Sequence, residues 1–312
     1  MQHREGFGVF GIDLAGKRVV AIVPHQDDEI IGMGGQIAYA CRENATVFVV
    51  LVTDGAADGA AKTVCGIDPC LELAGFGEPG NPGRVAHDKL LIIADNGRSY
   101  HPHGRAPRFV IERDPERKTG FACDGWGRQR NFEFLHVCQA LGVRPANVML
   151  AYWNHRAPER IKDGQTHLRG VELTMDGMKE RYARVAEFYF RKLLPDVVLT
   201  MAPYEYTPPP NDHWACAHGV MEAATRCDIV HVYYSHSGIV YQHVHHGSAY
   251  LGRRVELKPS IWEAKIKALG QYMRWEPENG WYATALHSVP KTFHALLSGC
   301  GRHEYINDHP DW

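Results

Sequence analysis

The sequence predicts an α/β fold: a doubly wound, mostly parallel sheet with a long lid-like insertion. Short β-branched runs that are apolar on both faces occur at residues 17–24, 47–52 and 197–201, the pattern of parallel strands covered on both sides. Segments with helical spacing of apolar residues separate such runs, so strands and helices alternate. Residues 56–127 break the alternation with Gly- and Pro-rich stretches, including Gly-Glu-Pro-Gly-Asn-Pro-Gly at 77–83.

Residues 17–24 form the first predicted strand, and 28–43 one helix, with Ile30, Met33, Ile37 and Tyr39 on its apolar face. Residues 47–52 form the second strand, ending in Thr53-Asp54-Gly55, which completes a right-handed βαβ unit. Within 56–127 only 89–94 and 108–112 read as strands; a structureless stretch of this length points to an insertion that covers or flanks a site. The pattern resumes with a helix at 128–141 stopped by Gly142, a strand at 148–152, a helix at 171–194 stopped by Pro195, and the strand at 197–201. After a stiff Pro-Pro-Pro loop, Asp212 reads as the N-cap of a helix running to 224. Strands at 229–234 and 255–257 and a helix at 259–272, with Pro259 in its first turn, follow. The whole chain, 1–312, reads as one domain with a C-terminal extension at about 229–312.

At 45% hydrophobic and 22% charged residues the composition excludes a disordered, collagen-like or coiled-coil chain. The net charge of −2 provides no global basic field, so no nucleic-acid partner is expected. Apolar runs fall short of the ~20 residues of a membrane helix, and residues 1–6 lack the apolar stretch of a secretory signal, so a soluble, cytoplasmic protein is expected. The eight cysteines contain no C-x-x-C pair and read as reduced thiols; Cys65 and Cys70 are near enough for a loop disulfide or half a zinc knuckle. Nineteen histidines make a metal site worth seeking.

Ligands of open α/β sheets bind at the carboxyl ends of strands. There the first strand carries Pro24-His25-Gln26-Asp27-Asp28-Glu29. His25 and Asp28, three apart at a strand-to-helix turn, can bring an imidazole and a carboxylate to one first-row metal ion, leaving Asp27 as a free carboxylate for general-base work. Acidic residues at a helix start also complement the helix dipole without any metal. His213, at the mouth of the loop after the 197–201 strand, offers a third ligand. His218 is the rival, but five helical residues place it about 140° around the axis from His213. The Gly32-x-Gly34-Gly35 run lies inside the predicted helix rather than in the strand-to-helix turn, which argues against a nucleotide fingerprint.

Pro-His-Gln-Asp-Asp-Glu-Ile-Ile-Gly-Met-Gly-Gly, the Val-Leu-Val-Thr-Asp-Gly that follows, Arg130-x-x-Glu133 and Asp212-His213-x-Ala215 together resemble the PIG-L/LmbE-like zinc de-N-acetylases. The resemblance implies a Rossmann-like fold and a metal-dependent amidohydrolase. Its implied reaction is hydrolysis of the acetamide of an amino sugar or its conjugate, giving acetate and a free amine. It also implies zinc, or another divalent first-row metal, on His25, Asp28 and His213, with Asp27 as base. Arg130 matches a substrate-contacting arginine, with a surface salt bridge to Glu133 as the bland alternative, and Asp163 matches a substrate-side acid. Gln26 stands where the family has proline. Pro210 stands where it has a histidine that assists the oxyanion and the leaving amine. Tyr204, Tyr206, His218, His231, His236, His243, His245 and His246 are candidates to replace that histidine.

Pro210 also keeps open a sugar-binding protein that retains the metal and has lost turnover. The substrate expected is a small N-acetylated sugar. Residues 98–130 carry eight Lys/Arg against four Asp/Glu, which suits a phosphate-bearing conjugate, and an aminoglycoside-type antibiotic precursor stays open, as does a homo-oligomer.

Overall fold

The computed structural model describes residues 14–61, 109–202, 211–237, 253–276, 279–297 and 302–307. Strand β1 (Arg18–Val23) leads through helices α1 (Asp28–Ile31) and α2 (Gly34–Arg42) to β2 (Thr46–Leu51). A hairpin of β3 (Glu112–Arg113) and β4 (Phe121–Ala122) precedes helix α3 (Asp124–Ala140) and strand β5 (Val148–Leu150). A second hairpin, β6 (His167–Leu168) and β7 (Val171–Glu172), opens into α4 (Met175–Leu193), β8 (Val197–Met201), α5 (Asp212–Arg226) and β9 (Val232–Ser237). Strand β10 (Arg253–Glu256), helix α6 (Pro259–Leu269), a third hairpin of β11 (Trp275–Glu276) and β12 (Trp281–Tyr282), helices α7 (Thr284–Ser288) and α8 (Pro290–Leu297) and strand β13 (His303–Asn307) follow.

The central sheet has the order β10-β13-β9-β8-β1-β2-β5. Its β9-β8-β1-β2-β5 section is parallel, and β13 runs antiparallel to both β9 and β10. Alternate side chains of β1 serve two cores. Val19, Ala21 and Val23 pack with Ile37, Val137 and Leu269 of α2, α3 and α6; Val20 and Ile22 pack with Tyr182, Tyr189 and Val220 of α4 and α5. That double coverage is why the strand reads as an unbroken apolar run rather than an alternation. Among the described residues no helix is long and apolar enough to cross a membrane. Cys41, Cys123, Cys138, Cys216 and Cys227 are in no disulfide, in line with the reading as reduced thiols; Cys65 and Cys70 lie outside the described residues.

Several boundaries differ from expectation. The helix predicted over 28–43 is two helices, broken at Gly32–Met33, with the glycine run at the junction. The amides of Gly35 and Gln36 that open α2 donate to the Glu304 carboxylate of β13 at 2.7 and 3.0 Å, a cap supplied from 269 residues away. Glu304 is in turn paired with the buried Lys265 of α6 at 2.5 Å. Helix α4 starts at Met175 rather than 171, because Thr174 caps it and residues 171–172 pair with β6. Of the strand predicted at 108–112, residues 109–112 are described, and among them only Glu112 is in a strand. The predicted strand at 89–94 and most of the insertion lie outside the described residues. Helix α3 begins at Asp124, within the span read as insertion.

Candidate metal and catalytic site

The site forms where β1 ends. Asp27 adopts φ 107°, a left-handed conformation that turns the strand into α1. For a non-glycine residue this costs on the order of 1–3 kcal/mol, and such strain gathers at functional sites. The motif holds the turn with its own acids: the Glu29 carboxylate accepts the Asp27 amide at 3.0 Å, and Asp28 Oδ2 accepts the His25 amide at 2.9 Å. The amides of Ile30 and Ile31 close on the Asp27 carbonyl.

Strand β8 and its following helix bring the third predicted ligand. His213, at the second residue of α5, places Nε2 3.1 Å from His25 Nδ1 and 3.8 Å from Asp28 Oδ1. His25 Nδ1 lies 3.5 Å from Asp28 Oδ2. The three predicted ligands therefore present ligand atoms within 4.8 Å of one another. Two imidazoles and one carboxylate form a donor set suited to a first-row divalent cation. The other nitrogen of His25, Nε2, faces Asp163 Oδ1 and Asp212 Oδ2, each at 3.2 Å. When Nδ1 ligates a metal ion, these carboxylates would hold the remaining ring proton on Nε2. Burial opposes charge on His25, but Asp163, Asp212 and Asp28 outweigh it and raise the imidazole well above its ordinary value. The cluster is thus short of positive charge, which a cation would supply.

Asp27 lies beside these groups, buried at 5% exposure. Burial pushes its carboxyl up to about 8, against the opposing pull of Arg130. Arg130 is buried on α3. It donates to the Gln26 carbonyl at 2.6 Å and to Asp27 Oδ2 at 3.3 Å, and it approaches Asp58 Oδ2 at 3.5 Å. The surface pair of Arg130 with Glu133 does not form. Glu133 is also buried, and it instead accepts the amides of Tyr282 and Thr284 and the Thr284 hydroxyl. The Gln26 amide donates to Asn131 at 2.7 Å, also on α3.

Asp212 is not the N-cap of α5. Asn211 is, accepting the Trp214 amide at 2.8 Å. Asp212 turns inward, accepting the Tyr182 hydroxyl at 2.8 Å and the Gly164 amide at 2.7 Å while facing His25. The rival ligand His218 packs against the Trp214 ring at a tilt of 40° instead. His231 is exposed before β9, at the sheet end opposite His25. Pro210, Tyr204, Tyr206, His243, His245 and His246, and the side chain of His236, lie outside what is described. Sequence reasoning missed Arg117, Tyr182 and the inward role of Asp212. Tyr182 reads as an apolar helix position, and Arg117 belongs to no motif. Only Asp212, inside a quoted motif, carried a signal.

The profile of the GlcNAc-PI de-N-acetylase family, PIG-L, matches residues 20–224. No curated protein matches in sequence. Among solved structures, a deacetylase triple mutant of the teicoplanin biosynthetic pathway is similar at 16% identity, covering 95% of this chain and 100% of that one, with a TM-score of 0.53. The A40926 pseudoaglycone deacetylase Dbv21 is similar at 14% identity, covering 95% of this chain and 99% of that one, with a TM-score of 0.50. At such identities the likeness is one of fold. The family match spans about two thirds of the chain and contains every residue assembled around His25, so the chain belongs to the GlcNAc-PI de-N-acetylase (PIG-L) family.

Proposed function

We propose that the protein is a zinc-type, metal-dependent de-N-acetylase that removes the acetyl group from an N-acetylated amino sugar or amino-sugar conjugate. The observation that carries this is the convergence of His25, Asp28 and His213 beside Asp27, a buried carboxylate outside that donor set and held by Arg130. Family membership and the deacetylase names of similar folds support the same reading. The central sheet draws strands from residues 18 to 307, which supports reading 1–312 as one domain.

His25, Asp28 and His213 would hold the metal, which when bound supplies Lewis acidity to water and to the amide carbonyl. The Asp27 carboxylate takes a proton from water as its oxygen bonds to the acetyl carbon. The C–N bond then breaks, and the proton passes from Asp27 to the departing amine nitrogen, giving acetate and a free amine. Arg130 anchors Asp27 at Oδ2, and Asp163 and Asp212 fix the ring of His25.

The experiment pairs metal analysis with acetate release from several N-acetylglucosaminides. Wild-type protein is expected to carry one ion per chain and release acetate. His25→Ala, Asp28→Ala and His213→Ala should each lose most of the metal. Asp27→Asn should keep it and lose about 10²–10⁴-fold in turnover. Full metal occupancy in all three ligand variants, or a wild-type rate in Asp27→Asn, overturns the assignment. Metal retention with no acetate released from any N-acetyl sugar favours the binding protein that the Pro210 substitution suggests.

A further inference from the structure

The turn between β3 and β4 belongs to none of the motifs around His25, yet it reaches the back of that histidine. Arg117, at 4% exposure, forms a two-pronged contact with Asp54: its two terminal nitrogens donate to Asp54 Oδ1 and Oδ2 at 2.9 and 2.6 Å. The same guanidinium donates to the Asp163 carbonyl at 3.1 Å, and its Nε to Asp114 Oδ2 at 2.9 Å. Asp54, at the end of β2, accepts the Asp163 amide on Oδ1 at 2.9 Å. The peptide of Asp163 is therefore gripped on both sides, its N–H by Asp54 and its C=O by Arg117. The Ala57 amide holds carboxylate oxygen Oδ2 at 3.1 Å, leaving Oδ1 to face His25 Nε2. The neighbouring backbone is tied as well: the Lys118 amide donates to the Gly164 carbonyl at 2.7 Å, and Thr166 to Glu116 at 2.8 Å.

Resting on the metal-centre reading above, we propose that Arg117 is a positioning residue: through Asp54 and the Asp163 peptide it aims the Asp163 carboxylate at His25 and so sets the affinity of the metal centre. The fork of a guanidinium is what this place needs. It satisfies both oxygens of Asp54 and a backbone carbonyl in one plane, which an ammonium cannot. Loss of a partner behind a metal-ligating histidine typically weakens metal binding about 10–100-fold. Through Asp163 this contact also links the segment before α3 to His25, just after β1 and 92 residues earlier in the chain.

The test is chelator-competition measurement of zinc and cobalt(II) dissociation constants on full-length wild type, Arg117→Lys, Asp54→Asn, Asp163→Ala and the Arg117→Lys/Asp163→Ala double variant. Circular dichroism of the metal-free proteins verifies folding. Arg117→Lys and Asp54→Asn are expected to bind either ion about 10–100-fold more weakly, with a shifted cobalt visible spectrum. In the Asp163→Ala background, Arg117→Lys should change affinity by no more than about twofold, because its path is already cut. Should Arg117→Lys fail to fold, Asp54→Asn, of unchanged shape, carries the measurement. Wild-type affinity in a folded variant, or losses that simply add in the double variant, overturns the inference alone. A wild type that binds neither ion overturns the metal-centre reading and this inference with it.

Discussion

Gly219→Ala tests how packing between two helices holds the site. Gly219 of α5 faces α4. A β-carbon added there would lie 2.6 Å from Tyr182 Cβ, 2.8 Å from the Ala183 amide nitrogen and 2.9 Å from the Lys179 carbonyl. Two of those three atoms are backbone, so no rotamer change relieves the clash. To regain ordinary van der Waals contact the helices must part locally by about 0.8 Å. Overpacking costs about 1–3 kcal/mol, and a 2.6 Å approach with backbone on either side belongs at the upper end; alanine returns up to about 1 kcal/mol in helix propensity, so a net loss of about 2 kcal/mol is expected. The displacement has a functional consequence. Tyr182 stands at the clash, and its hydroxyl holds Asp212, which faces His25. Denaturant unfolding of the metal-free protein reads the stability loss, and zinc competition reads the expected weakening of the site. A variant as stable as wild type, with metal affinity within twofold, would refute the reasoning.

Two further outcomes follow from buried charges. Lys265 and Glu304 are almost wholly inaccessible, so Lys265→Met should cost about 3–5 kcal/mol by stranding the carboxylate, and adding Glu304→Gln should recover part of that loss; equal denaturation midpoints for the single and double variants would contradict this. Burial pushes the Glu133 carboxyl up to about 7, against the hydrogen bonds it accepts from Thr284 and Tyr282. A raised folded-state value means that the proton favours the folded form. Its contribution is full below the unfolded value near 4.5 and is lost as pH rises through 7, in total about 3 kcal/mol. Urea unfolding between pH 4.5 and 8 should show this slope in wild type and a flatter one in Glu133→Gln; parallel slopes would exclude Glu133 as its source.

The parallel strands were legible because β1 and β8 are buried on both faces, and burial on both faces selects an unbroken β-branched run. The convergence of His25, Asp28 and His213 was legible because the first two share one turn and His213 opens a helix on the same side of the sheet. The break at Gly32–Met33 was not, because the cap that permits it comes from Glu304, beyond the reach of any local periodicity. Arg117 was hidden for a similar reason: its partners, Asp54 and Asp163, are brought to it only by folding. Arg130 was legible as a residue of the site, and only the alternative of a surface pair with Glu133 fails. Its burial against Asp27 depends on how α3 docks, which spacing does not encode.

The order of the sheet has a consequence for synthesis on the ribosome. Strand β8 is central in the finished protein, yet its neighbour β9 and the strands β13 and β10 beyond it are all encoded after residue 224, where the family match stops. A nascent chain that has reached α5 already contains every ligand of the proposed metal site, but one flank of β8 still has no strand to pair with. That flank is a row of open amides and carbonyls on an apolar, β-branched segment, the kind of edge that recruits strands from other chains. The interval between synthesis of α5 and of β9 is thus one in which this protein is exposed to aggregation. A chain ended at residue 224 would remain in that state.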